Sequence, residues 1–234
     1  QYRNQLSTQE FANALYGMQH MSSDHEEVRR ALKALVKLFP SPTTAYTNQG
    51  IAMSFYGLRN MSADCSVVRS IAELLTRVLR TETALNPQLL GNVGIGLRRM
   101  GSDHAVVRYL TTVLAKKVNQ FDDTLTSQAI GNIINGMQSM SSFHSSTLKL
   151  VAALTPHIAL CSEKFNSVTV GNALFGLQGM SSESSEVRAL LVPLADKIAN
   201  YQDEMNSQSV SNSLFGLQGM DSTHPEVVLL IDAV

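Results

Sequence analysis

Four histidines share one recurring position in this 234-residue chain: His25, His104, His144 and His224, with Cys65 and Ser184 in the same place elsewhere. Imidazole and thiolate are ordinary zinc ligands, and zinc needs them about 2.0–2.3 Å from one centre. Equivalent positions on stacked helical units lie on the order of 10 Å apart, the helix-packing distance. Neighbouring units therefore cannot easily share an ion, and no metal site is expected. The string Gly91-Asn92-Val93-Gly94-Ile95-Gly96 looks like a fragment of a phosphate loop. No strand pattern precedes it, however, and no Gly-Lys-Ser/Thr follows. Serines are abundant, but none lies in Gly-x-Ser-x-Gly and no Ser/His/Asp grouping is readable. These residues predict a non-enzymatic chain, with no catalytic residue, no cofactor and no small-molecule substrate.

Binding chemistry is better represented. Stepping back 8, 4 and 1 residues from a recurring glycine gives Gln9, Asn13 and Tyr16 in the first unit and Gln208, Asn212 and Phe215 in the sixth. Those offsets place the three on one face of a helix. Asparagine recurs as Asn13, Asn92, Asn132, Asn172 and Asn212, with Met53 as the exception. It is a mediocre helix former, so its recurrence asks for a reason. The residue before the glycine varies: Tyr16, Tyr56, Ile95, Asn135, Phe175, Phe215. Three residues after it the chain also varies: His20, Asn60, Arg99, Ser139, Gly179, Gly219. One reading is a nucleobase-reading row, in which aromatics stack on bases, amides bond to base edges, and Arg59, Arg98 and Arg99 meet phosphate. The other is an asparagine ladder between stacked helices, with the aromatics packed into the seam. Both can hold. The candidates for RNA or partner contact are then Tyr16, His20, Tyr56, Arg59, Asn60, Arg98, Arg99, Asn135, Phe175 and Phe215. The five asparagines and the glycines Gly17, Gly57, Gly96, Gly136, Gly176 and Gly216 are assigned to repeat structure. A further recurring arginine (Arg29, Arg69, Arg108, Arg188) is expected to be a solvated or ion-paired flank.

The elements that position these residues follow from the glycine spacing, which is 40, 39, 40, 40 and 40 residues. A fixed period in this range means a solenoid of stacked units. Ten residues before each glycine stands a residue suited to capping a helix: Ser7, Thr47, Asn86, Thr126, Asn166 and Asn206. Pro87 takes the first helical position, where a missing N–H does no harm. An apolar residue precedes every cap (Leu6, Tyr46, Leu85, Leu125, Phe165, Met205), and another sits five residues beyond it, forming a hydrophobic staple. The buried stripe of the fifth unit is Val170, Leu174, Leu177 and Met180. Its final methionine recurs as Met21, Met61, Met100, Met140, Met180 and Met220, which predicts adaptable core filler. A Ser/Asp-rich turn leads to a second helix. Asp24 and Glu27 have the spacing of a capping box there, and Pro193 is expected to kink or loosen its helix.

The fold class is therefore all-α: a right-handed α-solenoid of about six ~40-residue helix-turn-helix repeats. The units run approximately 6–45, 46–84, 85–124, 125–164, 165–204 and 205–234. The last is expected to be incomplete and the natural chain to continue, because no polar capping unit follows. A hydrophobic content of 44% opposes disorder. No apolar run approaches a membrane span, so no membrane insertion is expected. Cys65 and Cys161 occupy different repeat positions, which predicts free thiols in a reducing, intracellular setting. The net charge of −1 conceals an asymmetry: residues 1–117 carry 14 Lys/Arg against 8 Asp/Glu, and residues 118–234 carry 4 against 11. A polyanion would prefer the first half.

The segments Ser127-Gln128-Ala129-Ile130-Gly131-Asn132 and Ser207-Gln208-Ser209-Val210-Ser211-Asn212-Ser213-Leu214-Phe215-Gly216-Leu217 resemble octotricopeptide-type repeats. The related repeats of FAST-kinase-like and RAP-domain proteins are also similar. The resemblance spans nearly the whole chain. It implies paired helices that bind single-stranded RNA in a mitochondrion or chloroplast, acting on transcript stability, translation or ribosome assembly. The alternative expectation is a protein-interaction scaffold or a structural subunit of a large complex.

Overall fold

The computed structural model describes residues 5–40, 44–201 and 207–234. Asn206 and Met205, the expected cap and staple of the sixth unit, lie outside the described residues. Twelve helices and no strand are found among the described residues: α1 (Thr8–Gly17), α2 (Glu26–Lys37), α3 (Asn48–Gly57), α4 (Ser66–Thr81), α5 (Pro87–Gly96), α6 (Ala105–Asn119), α7 (Ser127–Gly136), α8 (Ser145–Leu160), α9 (Ser167–Gly176), α10 (Ser185–Ala199), α11 (Ser207–Gly216) and α12 (Pro225–Ala233). Each odd-numbered helix packs on the next odd one and each even-numbered helix on the next even one. The chain is thus two parallel layers of helices stacked as a solenoid.

The short odd helices start where the capping residues dictate. Ser7 and Glu10 close a full capping box, with Glu10 N–H donating to Ser7 Oγ at 3.2 Å and Ser7 N–H to Glu10 Oε2 at 2.8 Å. Thr47 accepts from Gly50 N–H at 3.0 Å, Asn86 from Leu89 at 2.8 Å, Thr126 from Ala129 at 3.2 Å and Asn166 from Thr169 at 2.8 Å. Each such cap stabilises its helix by about 1 kcal/mol. The stripe Val170, Leu174, Leu177 and Met180 is buried, as are Met61, Met100 and Met140. Met21, in the first unit, is 46% exposed.

The central glycines set how closely the odd helices approach. A Cβ on Gly57, Gly96, Gly136, Gly176 or Gly216 would fall within 3.0 Å of a backbone carbonyl on the preceding odd helix, those of Leu15, Phe55, Gly94, Ile134 and Leu174 respectively. Gly17 has nothing within 4 Å. Gly179 and Gly219 press in the same way on the carbonyls of Met140 and Met180. Their lack of a side chain is a packing requirement.

Two expectations about the turns are corrected. Asp24 does not cap α2. The N-cap is His25, whose side chain makes no capping bond, and Asp24 instead accepts from Ser22 Oγ at 2.8 Å. The recurring arginine is not merely a solvated or ion-paired flank, although Arg188 does pair with Glu226 at 4.0 Å. Arg108 donates to the carbonyls of Ser102 at 2.8 Å and Asp103 at 2.6 Å, and Arg29, Arg69 and Arg188 do the same to their own turns. The reason is the supply of acceptors: a tight turn leaves carbonyls without backbone partners, and a guanidinium one helical turn away can reach two of them. Buried serines then clip turn to turn. Ser23, Ser102, Ser142 and Ser182 accept from the amides of Ser62, Ser141, Ser181 and Asp221 at 2.9–3.0 Å. α10 continues through Pro193, as α8 does through Pro156. Among the described residues no helix is long and apolar enough to cross a membrane.

Candidate nucleic-acid interface

The asparagine row does not form a ladder. Asn13 is exposed and Asn92, Asn132, Asn172 and Asn212 are half-buried. None of their side chains makes a hydrogen bond among the described residues. Asn92, Asn132 and Asn172 line surface grooves between consecutive odd helices. The groove between α5 and α7, about 490 Å³, is bordered by Gln88, Asn92, Gln128 and Asn132. The groove between α7 and α9, about 580 Å³, is bordered by Gln128, Asn132, Asn172 and Glu163. Consecutive grooves share Gln128 and Asn132, so the amides form one continuous polar strip.

The aromatic row is two stacked pairs with a gap. Tyr16 and Tyr56 stack at 5.7 Å between centroids and 27° between planes, and Phe175 and Phe215 at 5.8 Å and 24°. Between them Ile95 and Asn135 are only 7% and 6% exposed. Asn135 therefore offers no open face to a ligand, and its Oδ1 is buried without a partner. Tyr16 and Phe215 are the open ends of the pairs, at 38% and 52% exposure.

The other seven sequence candidates, Tyr16, His20, Tyr56, Arg59, Asn60, Arg98 and Arg99, converge from three repeats. The Arg59 guanidinium lies 4.1 Å above the Tyr56 ring, with Nη2 3.5 Å from His20 Nδ1. Asn60 Nδ2 donates to the Gln19 carbonyl at 2.8 Å, and its Oδ1 accepts from Arg98 Nη2. Arg99 donates to Ser22 Oγ at 3.1 Å, the Asn60 carbonyl at 3.3 Å and Asp24 Oδ2 at 3.2 Å. Asn60 is thus a clamp joining three units, and the arginines are the groups with donors to spare. Burial, and then the charges of Arg59 and Arg99, hold the Arg98 guanidinium below its usual range. Hydrogen bonds from Ser22 and Arg99 lower the Asp24 carboxyl.

The loop histidines pair with the acid of the preceding turn: His104 with Asp64 at 3.1 Å, His144 with Asp103 at 3.7 Å and His224 with Glu183 at 3.5 Å. Sequence reasoning missed these pairs, although the spacing of about one period between acid and histidine was visible. Among the described residues no three His, Cys, Asp or Glu side chains converge as metal ligands.

The fold and these surfaces together define an all-α helical-repeat solenoid with an amide strip along its odd helices and an arginine cluster in the turns that follow α3 and α5. No family model matches the chain, and no curated protein matches it either.

Proposed function

We propose that the chain binds single-stranded RNA along the odd-helix face. The observation carrying this reading is the convergence of Arg59, Arg98 and Arg99 beside the Tyr16–Tyr56 stack, in a chain whose odd helices also carry asparagines with no hydrogen-bond partner among the described residues. Bases would stack on Tyr16, amides would bond to base edges, and the arginines would meet backbone phosphate. The resemblance to octotricopeptide-type repeats supports an organellar role in transcript stability, translation or ribosome assembly. Fluorescence polarisation with a randomised single-stranded RNA pool tests it. Three arginine–phosphate contacts give a salt slope near −2, so affinity should fall about 20-fold between 50 and 200 mM salt. Tyr16→Ala should weaken binding about 5- to 150-fold, the value of one base stack. Binding that ignores salt, or no binding at 50 mM, refutes the reading. A second reading, a protein-interaction scaffold, is favoured by an apolar groove of about 710 Å³ between α8 and α10, bordered by Pro156, Val192 and Pro193.

A further inference from the structure

Two and three residues past the central glycines stand Gln19/His20, Arg59/Asn60, Arg98/Arg99, Gln138/Ser139, Gln178/Gly179 and Gln218/Gly219. A surface that tracks phosphodiesters needs a cation at intervals along the strand, because each nucleotide contributes one charge. At these two positions the arginines fall only in the second and third repeats. The later positions are taken up by packing: Gln138 and Gln218 donate to the carbonyls of Arg98 and Gln178 at 3.1 and 3.0 Å, and Gly179 and Gly219 press on carbonyls. The positive charge is a point, not a track.

That point is undercompensated. Asp24 is the one carboxylate ion-paired to the three guanidinium groups among the described residues. The nearby Asp64 is engaged by His104 and by Ser62 Oγ. The Arg98 Nε is buried and has no hydrogen-bond partner. Burial, and after it the neighbouring charges of Arg59 and Arg99, hold the Arg98 guanidinium below its usual range. A phosphodiester carries one negative charge. A phosphomonoester approaches two at neutral pH and presents three acceptor oxygens, which matches three arginines offset by one aspartate. Arginine forks are suited to such a group.

We propose that Arg59, Arg98 and Arg99 hold a terminal phosphomonoester of the bound strand, with the terminal base stacked on Tyr16. This rests on the single-stranded RNA reading above. The test compares the full chain against one short oligonucleotide in three forms: 5′-phosphorylated, 3′-phosphorylated, and hydroxyl at both ends. One phosphorylated form should bind on the order of tenfold tighter than the hydroxyl form, the scale of one or two charge-assisted hydrogen bonds. Arg59→Gln should abolish most of that preference. Its fold should survive, because the Arg59 side chain is engaged by the exposed His20 and the Tyr56 ring and makes no other side-chain hydrogen bond among the described residues. Arg99→Gln should act likewise, with circular dichroism confirming that helix content is retained. Inorganic phosphate should compete more strongly with the preferred form than with the hydroxyl form, whose backbone phosphates meet the same arginines only singly charged. Equal affinity for all three ends, still salt-dependent, overturns the terminal site and leaves RNA binding standing. A preference undiminished in both arginine variants overturns it too. Absence of any binding at 50 mM salt removes both readings.

Discussion

Alanine at Gly96 and alanine at Gly17 should move stability in opposite directions, although the two glycines occupy the same position of the repeat. At Gly96 a new Cβ would stand 2.5 Å from the Phe55 carbonyl oxygen and 3.0 Å from its carbon. Ordinary contact begins at 3.4 Å, so α3 and α5 must separate by about 0.9 Å or tilt. The obstacle is backbone inside a packed seam and cannot rotate away. Overpacking of this kind costs about 1–3 kcal/mol, and backbone contact places it at the upper end. The gain in helix propensity offsets about 0.5–1 kcal/mol. The net loss is about 2 kcal/mol, or about 4–8 °C in Tm for a chain of this size. At Gly17 nothing lies within 4 Å, so only the propensity term remains and Tm should rise by about 1–3 °C. Far-UV circular dichroism melts of the two variants against the parent measure this. Because each unit couples only to its neighbours, faster amide exchange in Gly96→Ala should concentrate in α3 and α5. Equal destabilisation by both substitutions, or a Gly96→Ala melt superimposed on the parent, refutes the packing account.

The turns make further predictions. Arg108→Ala loses two carbonyl contacts and should cost about 1–3 kcal/mol in urea denaturation. Arg30→Ala, whose exposed pairing with Glu27 spans 3.4 Å, should cost under about 0.5 kcal/mol. Ser102→Ala leaves the Ser141 amide without its acceptor and should cost about 1–3 kcal/mol by the same measurement. The Asp64 carboxyl is held below its ordinary value of 3.8, first by the hydrogen bond to His104 and then by that to Ser62. A depressed folded pKa means that ionised Asp64 favours the fold above about pH 4, and that this contribution is lost as pH falls through the folded value. An NMR titration should show the Asp64 carboxyl moving up towards 3.8 in His104→Ala.

Much of the architecture was legible because capping and periodicity are local. Ser7, Thr47, Asn86, Thr126 and Asn166 cap within three residues, so a single unit shows them. Gly96 was visible as recurring, but its reason lies 41 residues back at Phe55, on a helix surface that no local pattern describes. The same holds for Ser23 with Ser62, Asn60 with Gln19 and Arg99 with Asp24, which are 39, 41 and 75 residues apart. Arg29 and Arg69 were expected to be solvated or ion-paired because the carbonyls they engage leave no trace in side-chain identity. Asn135 looked like a readout position by register alone. Burial between Ile95 and Phe175 depends on how the neighbouring helices close over it.

In a stacked array, a residue required for stacking must recur, and the structure must then show what its recurrence accomplishes. The capping residues, the glycines after the first, the buried serines and the turn arginines all meet that standard. The asparagines do not: they recur in five of six units, yet among the described residues the side chains of Asn92, Asn132 and Asn172 make no hydrogen bond and border the grooves. Alanine at such a helical site is better by about 0.5–0.7 kcal/mol, so stability alone works against keeping asparagine there. Replacing Asn92, Asn132 and Asn172 together with alanine should therefore raise stability by about 1.5–2 kcal/mol while weakening RNA affinity, with the salt slope unchanged because no phosphate contact is lost. The two readouts separate the accounts: a drop in melting temperature would return the row to a structural role, and unaltered affinity would remove it from the interface.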